Sequence, residues 1–201
     1  TTEIYTLSLH DALPIWIHAN TQVPKVIGAA RQYELTGSDY YKTIAEYFWD
    51  RVVHYHSYVN GGNSADEHFG QPGKLNDRMH DTTETCNTYN MLKLTMHLFS
   101  WQPTAALGDY YERALYNHIL AHQHPMTGMF KYKGFLDMPA RKNFSDPFNS
   151  FWCCVGTGME NHVKYGESIY YHKGDTLYVN LFIASELNWQ EIGRASCRER
   201  V

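Results

Sequence analysis

The chain has 201 residues, a formal net charge of -4 at pH 7 and 43% hydrophobic residues, with 16 Tyr and 5 Trp among them. That length is one domain or a piece of a larger one, with apolar side chains enough for a core. The mild acidity excludes the basic footprint of a nucleic-acid binder, and no apolar run reaches the length of a membrane span.

Residues 1–15, TTEIYTLSLHDALPI, open no convincing helix or strand and lack the three regions of a signal peptide. Thr6–Ile15 can be back-translated into a DNA strand whose reverse complement encodes Ile192–Arg200 and runs on into Val201. Residues 1–15 and 191–201 therefore read as translated sequencing adapter, with unpacked ends expected, and the natural piece as roughly Trp16 to Gln190, cut at both ends. Within it, Val23, Val26, Ile27, Ala30 and Tyr33 recur at helical spacing, and Gly37 is placed to stop the helix. Ser38 is placed to cap a second helix through Tyr41, Ile44, Ala45, Phe48 and Val52. Gly, Asn, Asp and Pro make residues 59–77 a loop. A third helix runs through Tyr89, Leu92, Met96 and Phe99 until Pro103 breaks it, and a fourth carries Tyr111, Ala114, Leu115, His118 and Ile119. Residues 125–146 are irregular, 158–172 read as a further helix, and about 176–184 as a strand with Tyr178, Val179, Leu181 and Ile183. Helical hairpins followed by a strand, with no alternation of the two, exclude a doubly wound sheet. The expected class is mainly α, with residues 16–173 as one domain and 174–190 as the start of another.

Cys197 falls in the C-terminal adapter segment, which leaves Cys86, Cys153 and Cys154. An odd number argues against a disulfide framework. Adjacent residues have Cα atoms ~3.8 Å apart, below the roughly 4.4 Å lower limit for a bridge. The Glu-x-Cys spacing of Glu84 and Cys86 puts both side chains on one side of an extended segment. With Cys153 and Cys154 they supply three sulfurs and one oxygen, the number and softness of donor that zinc takes. The residues alone leave a second reading open, in which the cysteines are small buried apolar side chains. The twelve histidines raise no expectation of a histidine metal site.

Four stretches occur in order: GGNSADEHF (61–69), ETCNTYNMLKL (84–94), YYERALYNHIL (110–120) and SFWCCVGTGMENH (150–162). Together they resemble the β-L-arabinofuranosidases of glycoside hydrolase families 127 and 146, over nearly all of residues 16–190. The resemblance implies a partial (α/α)6 barrel, that is, a helical toroid fragment, followed by the first strand of a β-sandwich. It implies zinc held by Glu84, Cys86, Cys153 and Cys154, with Cys153 as nucleophile and Glu67 as general acid/base. It implies substrate contacts at His18, Glu112 and Tyr132. The implied activity is a retaining hydrolysis that releases β-L-arabinofuranose from plant-type glycans, so the partner is an oligosaccharide, and the aromatic content suits stacking on sugar faces. Two other classes are kept as alternatives. A lanthionine-cyclase-like zinc enzyme on a helical toroid would lack the Glu67 loop and the Glu-x-Cys pair. A non-catalytic or inactive zinc-binding fragment would keep the cluster but form no sugar adduct on Cys153.

Overall fold

Helix α1, Ala19–Thr36, turns its apolar stripe inward through Val23, Val26 and Ala30, all buried. It stops where expected: Gly37 takes φ 68 and donates its N–H to Tyr33 O, a left-handed cap that costs glycine little. Helix α2, Asp39–Tyr55, starts two residues later and buries Ala45, Phe48, Trp49 and Val52. A link that short reverses the chain, so α1 and α2 pack as a hairpin. Ser38 stands at the N-cap position, but its hydroxyl makes no capping hydrogen bond; its backbone N–H donates to Thr36 Oγ1. The computed structural model describes residues 16–77, 79–136 and 143–189, and the backbone of 193–197. The adapter reading of residues 1–15, 191–192 and 198–201 lies outside the described residues.

Helix α3, Thr85–Trp101, is the centre of the helical part and packs against α1, α2 and α4 (Ala105–Ala114). Lys93 is the single Lys, Arg, Asp or Glu in its 17 residues, so it can be enclosed on most sides rather than on one stripe. Thr85–Tyr89, Met91, Leu92, Leu94, Thr95, Leu98 and Phe99 are all buried. Its polar atoms find partners inside: Trp49 Nε1 donates to Thr95 Oγ1 at 2.9 Å, and Trp49 meets the Tyr110 ring edge-on at 5.7 Å. Thr104 caps α4 by accepting from Leu107 N. The fourth helix does not continue as α-helix to Ile119. It widens into a π turn at Leu115–Ile119 and tightens into a 3-10 turn at Leu120–His122.

Helix α5, Cys153–Val163, begins before and ends well before the expected span of 158–172. Lys164 leaves helical geometry at φ -106, ψ 5, a 3-10 turn follows at Tyr165–Ser168, and Tyr170 already belongs to a strand. The chain divides into two units, Thr1–His162 and Val163–Val201. In the second, β1 (Tyr170–Lys173) and β2 (Thr176–Val179) form an antiparallel hairpin with Lys173 opposite Thr176 and Gly174 at φ 57 in the turn. The single strand expected at 176–184 is cut at Val179, because the N–H groups of Asn180 and Leu181 turn back to Ile169 O. A second hairpin follows, β3 (Ser185–Trp189) with β4 (Gly193–Cys197). At 193–197, within the C-terminal end expected to be unpacked, the backbone pairs with β3 in a ladder from Ser185↔Cys197 to Trp189↔Gly193.

Candidate active site

Three segments of the first unit converge. The first is the loop before α3. Its Ser64, Asp66, Glu67, Asp81 and Thr83 all have positive φ, between 46 and 67, a region that non-glycine side chains rarely adopt and that is strained for a β-branched threonine. Backbone bonds hold it there: Asp66 N to Asp81 O at 3.0 Å, Thr83 N to Ser64 O at 3.1 Å, and Ala19 N to Glu67 O at 2.7 Å. The last bond also satisfies a free N–H of the first turn of α1. Glu67 is thus aimed by backbone on both sides. Its carboxylate is held at both oxygens, with Tyr132 Oη donating to Oε1 at 2.5 Å and His18 Nε2 lying 3.1 Å from Oε2.

The second segment is the start of α3. Glu84 is not on an extended run with Cys86, as its spacing suggested. It is the N-cap residue, extended at ψ 133, and Cys86 is the second residue of the helix. The third is the start of α5, where Cys153 and Cys154 are the first two residues. Two helix N-termini therefore deliver all three thiols, and the free N–H groups and dipole there favour negative charge. Cys86 Sγ lies 3.4 Å from Cys154 Sγ, and Cys154 Sγ lies 3.8 Å from Cys153 Sγ. Cys153 Sγ donates to Glu84 Oε1 at 3.5 Å.

One ligand atom from each of Glu84, Cys86, Cys153 and Cys154 falls within 4.8 Å of the others. The set fits a tetrahedral zinc ion: zinc–sulfur bonds of ~2.3 Å require sulfurs about 3.8 Å apart, and the two sulfur–sulfur distances here, 3.4 and 3.8 Å, are compatible with that. The charge balance points the same way. Glu84 is 2% exposed, yet its Oε2 has no hydrogen-bond partner. Burial, and then the charge of Glu67, raise its pKa. Cys86 is pushed up by its bond to Cys154 and by burial. Cys153 is pushed up to about 12, first by burial and then by Cys86. Cys153 is exposed as a residue although its sulfur touches Glu84, Tyr132 and Cys154, whereas Cys86 and Cys154 are buried. A buried, unpaired carboxylate oxygen beside three thiols whose thiolate forms would repel one another is what a cation resolves.

A cavity of about 470 Å3 opens on Glu67 and Tyr132, with Trp152 and Lys133 in its wall. Of the residues singled out in the sequence, His18, Glu67, Glu84, Cys86, Tyr132, Cys153 and Cys154 are joined by direct contacts. No hydrogen bond of this cluster reaches Glu112, which is half-buried on α4. Sequence reasoning missed Asn20, whose Nδ2 donates to Glu84 Oε1 at 3.3 Å, and Thr157, 3.0 Å from Cys86 Sγ. Neither carries a signal in its neighbours. It also missed a visible one, the His-x-x-x-His pair of His118 and His122 behind the α3 terminus.

Comparison with known proteins decides the family. The model of the β-L-arabinofuranosidase, GH127 catalytic domain, matches residues 6–167. This chain belongs to the GH127 catalytic-domain family. Among solved structures, the GH127 β-arabinofuranosidase BT3674 is 26% identical at a TM-score of 0.73, over 87% of this chain and 28% of that one. Ara127N, a GH127 β-L-arabinofuranosidase from Geobacillus stearothermophilus T6, is 20% identical with a TM-score of 0.72, over 85% of this chain and 29% of its own. A structure titled glycoside hydrolase is 19% identical with a TM-score of 0.76, over 89% of this chain and 34% of its own. The chain thus spans about a third of the length of these GH127-family and related structures, and the last two show shared fold alone. No protein of curated function matches.

Proposed function

We propose that the protein is a retaining glycosidase that releases β-L-arabinofuranose from a plant-type glycan, with Cys153 as nucleophile and Glu67 as general acid/base. The observation that carries this reading is the bridge through Tyr132. Its Oη lies 2.5 Å from Glu67 Oε1 and 3.9 Å from Cys153 Sγ, which bounds the thiol–carboxylate separation at about 6.4 Å. Two groups that must admit a water between them stand roughly 6.5–9.5 Å apart, and retaining pairs stand closer. In the first step the Cys153 sulfur lone pair forms a bond to the anomeric carbon. The glycosidic C–O bond breaks, and the departing oxygen takes the proton of Glu67. In the second, the Glu67 carboxylate takes a proton from water, whose oxygen bonds the same carbon while the S–C bond breaks and returns the thiolate. Zinc would be held by Glu84, Cys86, Cys153 and Cys154, and when bound it supplies the positive charge that keeps these thiols ionised. His18 and Tyr132, already on Glu67, are placed to contact the sugar. Glu112 is kept as a contact on the family likeness.

The helices and hairpins suit a piece of an (α/α)6 barrel followed by the start of a β-sandwich. The complementary coding strands of residues 6–15 and 192–201 support the reading of the two ends as adapter. The family match counts against it at the first end, since it begins at residue 6. Glu67→Gln tests the mechanism. It preserves shape and metal content and should slow substrates with poor leaving groups far more than aryl glycosides, because only the former need protonation. Equal, mild losses on both would remove Glu67 from the role.

A further inference from the structure

His122 is 1% exposed, and burial pushes its pKa down to about 2, so the ring is neutral. The π turn and the 3-10 turn that end the fourth helical run bring it under the start of α3, where its Nε2 bonds Thr85 Oγ1. Thr85 is the residue between Glu84 and Cys86. Its hydroxyl also lies 3.2 Å from Tyr132 O and 3.4 Å from Lys131 O. A carbonyl can only accept, and a threonine has one proton to give. With that proton on the carbonyl side, His122 is the Nε2–H tautomer and donates to Thr85; the other tautomer would bury an unpaired Nδ1–H. What remains bare is His122 Nδ1, which has no partner and carries a lone pair rather than a stranded N–H.

The relay ends on an atom that matters. Tyr132 O also accepts from Thr85 N at 3.2 Å and from Cys154 Sγ at 3.6 Å. His122 holds the same segment from its other side, since its own carbonyl accepts from Lys131 N at 3.0 Å. The Glu84–Cys86 turn, the Tyr132 segment and Cys154 are thus tied through one buried side chain that belongs to none of them. We propose that His122 is a positioning residue of the metal site: by donating from Nε2 to Thr85 it fixes the start of α3 against the Tyr132 carbonyl, so that Glu84, Cys86 and Cys154 face one point. The inference rests on the reading of that cluster as a metal site.

The test uses cobalt(II) as a spectroscopic stand-in for zinc. Its thiolate charge-transfer band is titrated in the wild-type chain and in His122→Leu, His122→Gln and His122→Asn, with metal-free urea midpoints measured alongside. Gln carries an amide N–H where Nε2 stood; Asn places it nearer Nδ1. Loss of an outer-shell partner typically costs about 10–100-fold in metal affinity. The expected result is a loss of that size in Leu and Asn with Gln close to wild type. Unchanged affinity in Leu, or losses equal in Gln and Asn, would overturn the proposal. If Leu does not fold, the Gln and Asn pair decides alone. If the wild-type chain itself binds no cobalt, the metal-site reading fails and takes the proposal with it, an outcome distinct from a site that binds normally without His122.

Discussion

A methyl group placed on α5 should separate two effects that usually run together. Gly156 and Gly158 both lie inside the helix that begins with Cys153. In a helix interior, Gly→Ala ordinarily stabilises by about 0.5–1 kcal/mol, because glycine loses more backbone freedom on folding. At Gly156 a Cβ would meet nothing within 4 Å, so Gly156→Ala should gain that amount. At Gly158 a Cβ would sit 2.6 Å from Phe130 Cδ1 and Cγ and 3.0 Å from Cδ2. The Phe130 ring is 7% exposed and stacks on His162 at 5.7 Å, so it has little room to retreat. Overpacking of this kind costs about 1–3 kcal/mol and outweighs the gain, leaving Gly158→Ala less stable by about 1 kcal/mol. The two variants should then differ by about 2 kcal/mol, which is about 1 M in urea midpoint at an m-value of about 2 kcal/mol/M. The displaced helix carries the thiol pair only about 7.5 Å further along its axis, so Gly158→Ala should also weaken cobalt binding while Gly156→Ala leaves it alone. Equal midpoints and equal metal affinity in the two variants would refute the packing of α5 on Phe130.

Stability should fall on mild acidification. His56 is pushed down to about 4 by burial and then by Arg51, and His118 to about 4 by burial and then by Lys131. A histidine depressed in the fold but ordinary when unfolded leaves stability intact above about pH 6.5 and removes it as pH drops towards 4, by about 1.4 kcal/mol per pH unit for each group. His122, held down to about 2 by burial and then by His118, adds to the same slope; urea midpoints between pH 7 and pH 4.5 should show it, and His56→Phe should reduce it by one proton, while a flat profile would contradict the burial of all three rings. Thiol chemistry should follow exposure. Among the three thiols of the cluster, iodoacetamide should label Cys153 first in metal-free protein, since Cys86 and Cys154 are buried, and added zinc should slow that labelling. Faster labelling of Cys86 would mean the cluster is open.

Much of the helical part was legible because α1 and α2 bury simple stripes: Val23, Val26 and Ala30 on one, Ala45, Phe48 and Val52 on the other. The donor set was legible too, since thiols are rare in the chain and Glu84, Cys86, Cys153 and Cys154 can ligate one metal. What could not be read was geometry set by distant chain. Where β2 stops depends on Ile169 O turning Asn180 and Leu181 back, and periodicity is blind to that. The family likeness implied a substrate contact at Tyr132, but only the fold showed that its hydroxyl lies between Glu67 and Cys153. His122 acts through a threonine 37 positions away, and nothing in its local sequence says so.

The central claim is that a sugar becomes bonded to Cys153. The most direct measurement is mass analysis of the Glu67→Gln protein, denatured within seconds of mixing with an aryl β-L-arabinofuranoside, followed by peptide mapping. A good leaving group needs no acid for the first step, while the second step lacks its base, so the covalent species accumulates. The account predicts a gain of one anhydropentose, carried on Cys153 and absent from Cys86 and Cys154. Turnover of that substrate with no adduct, or an adduct on any other residue, would contradict it.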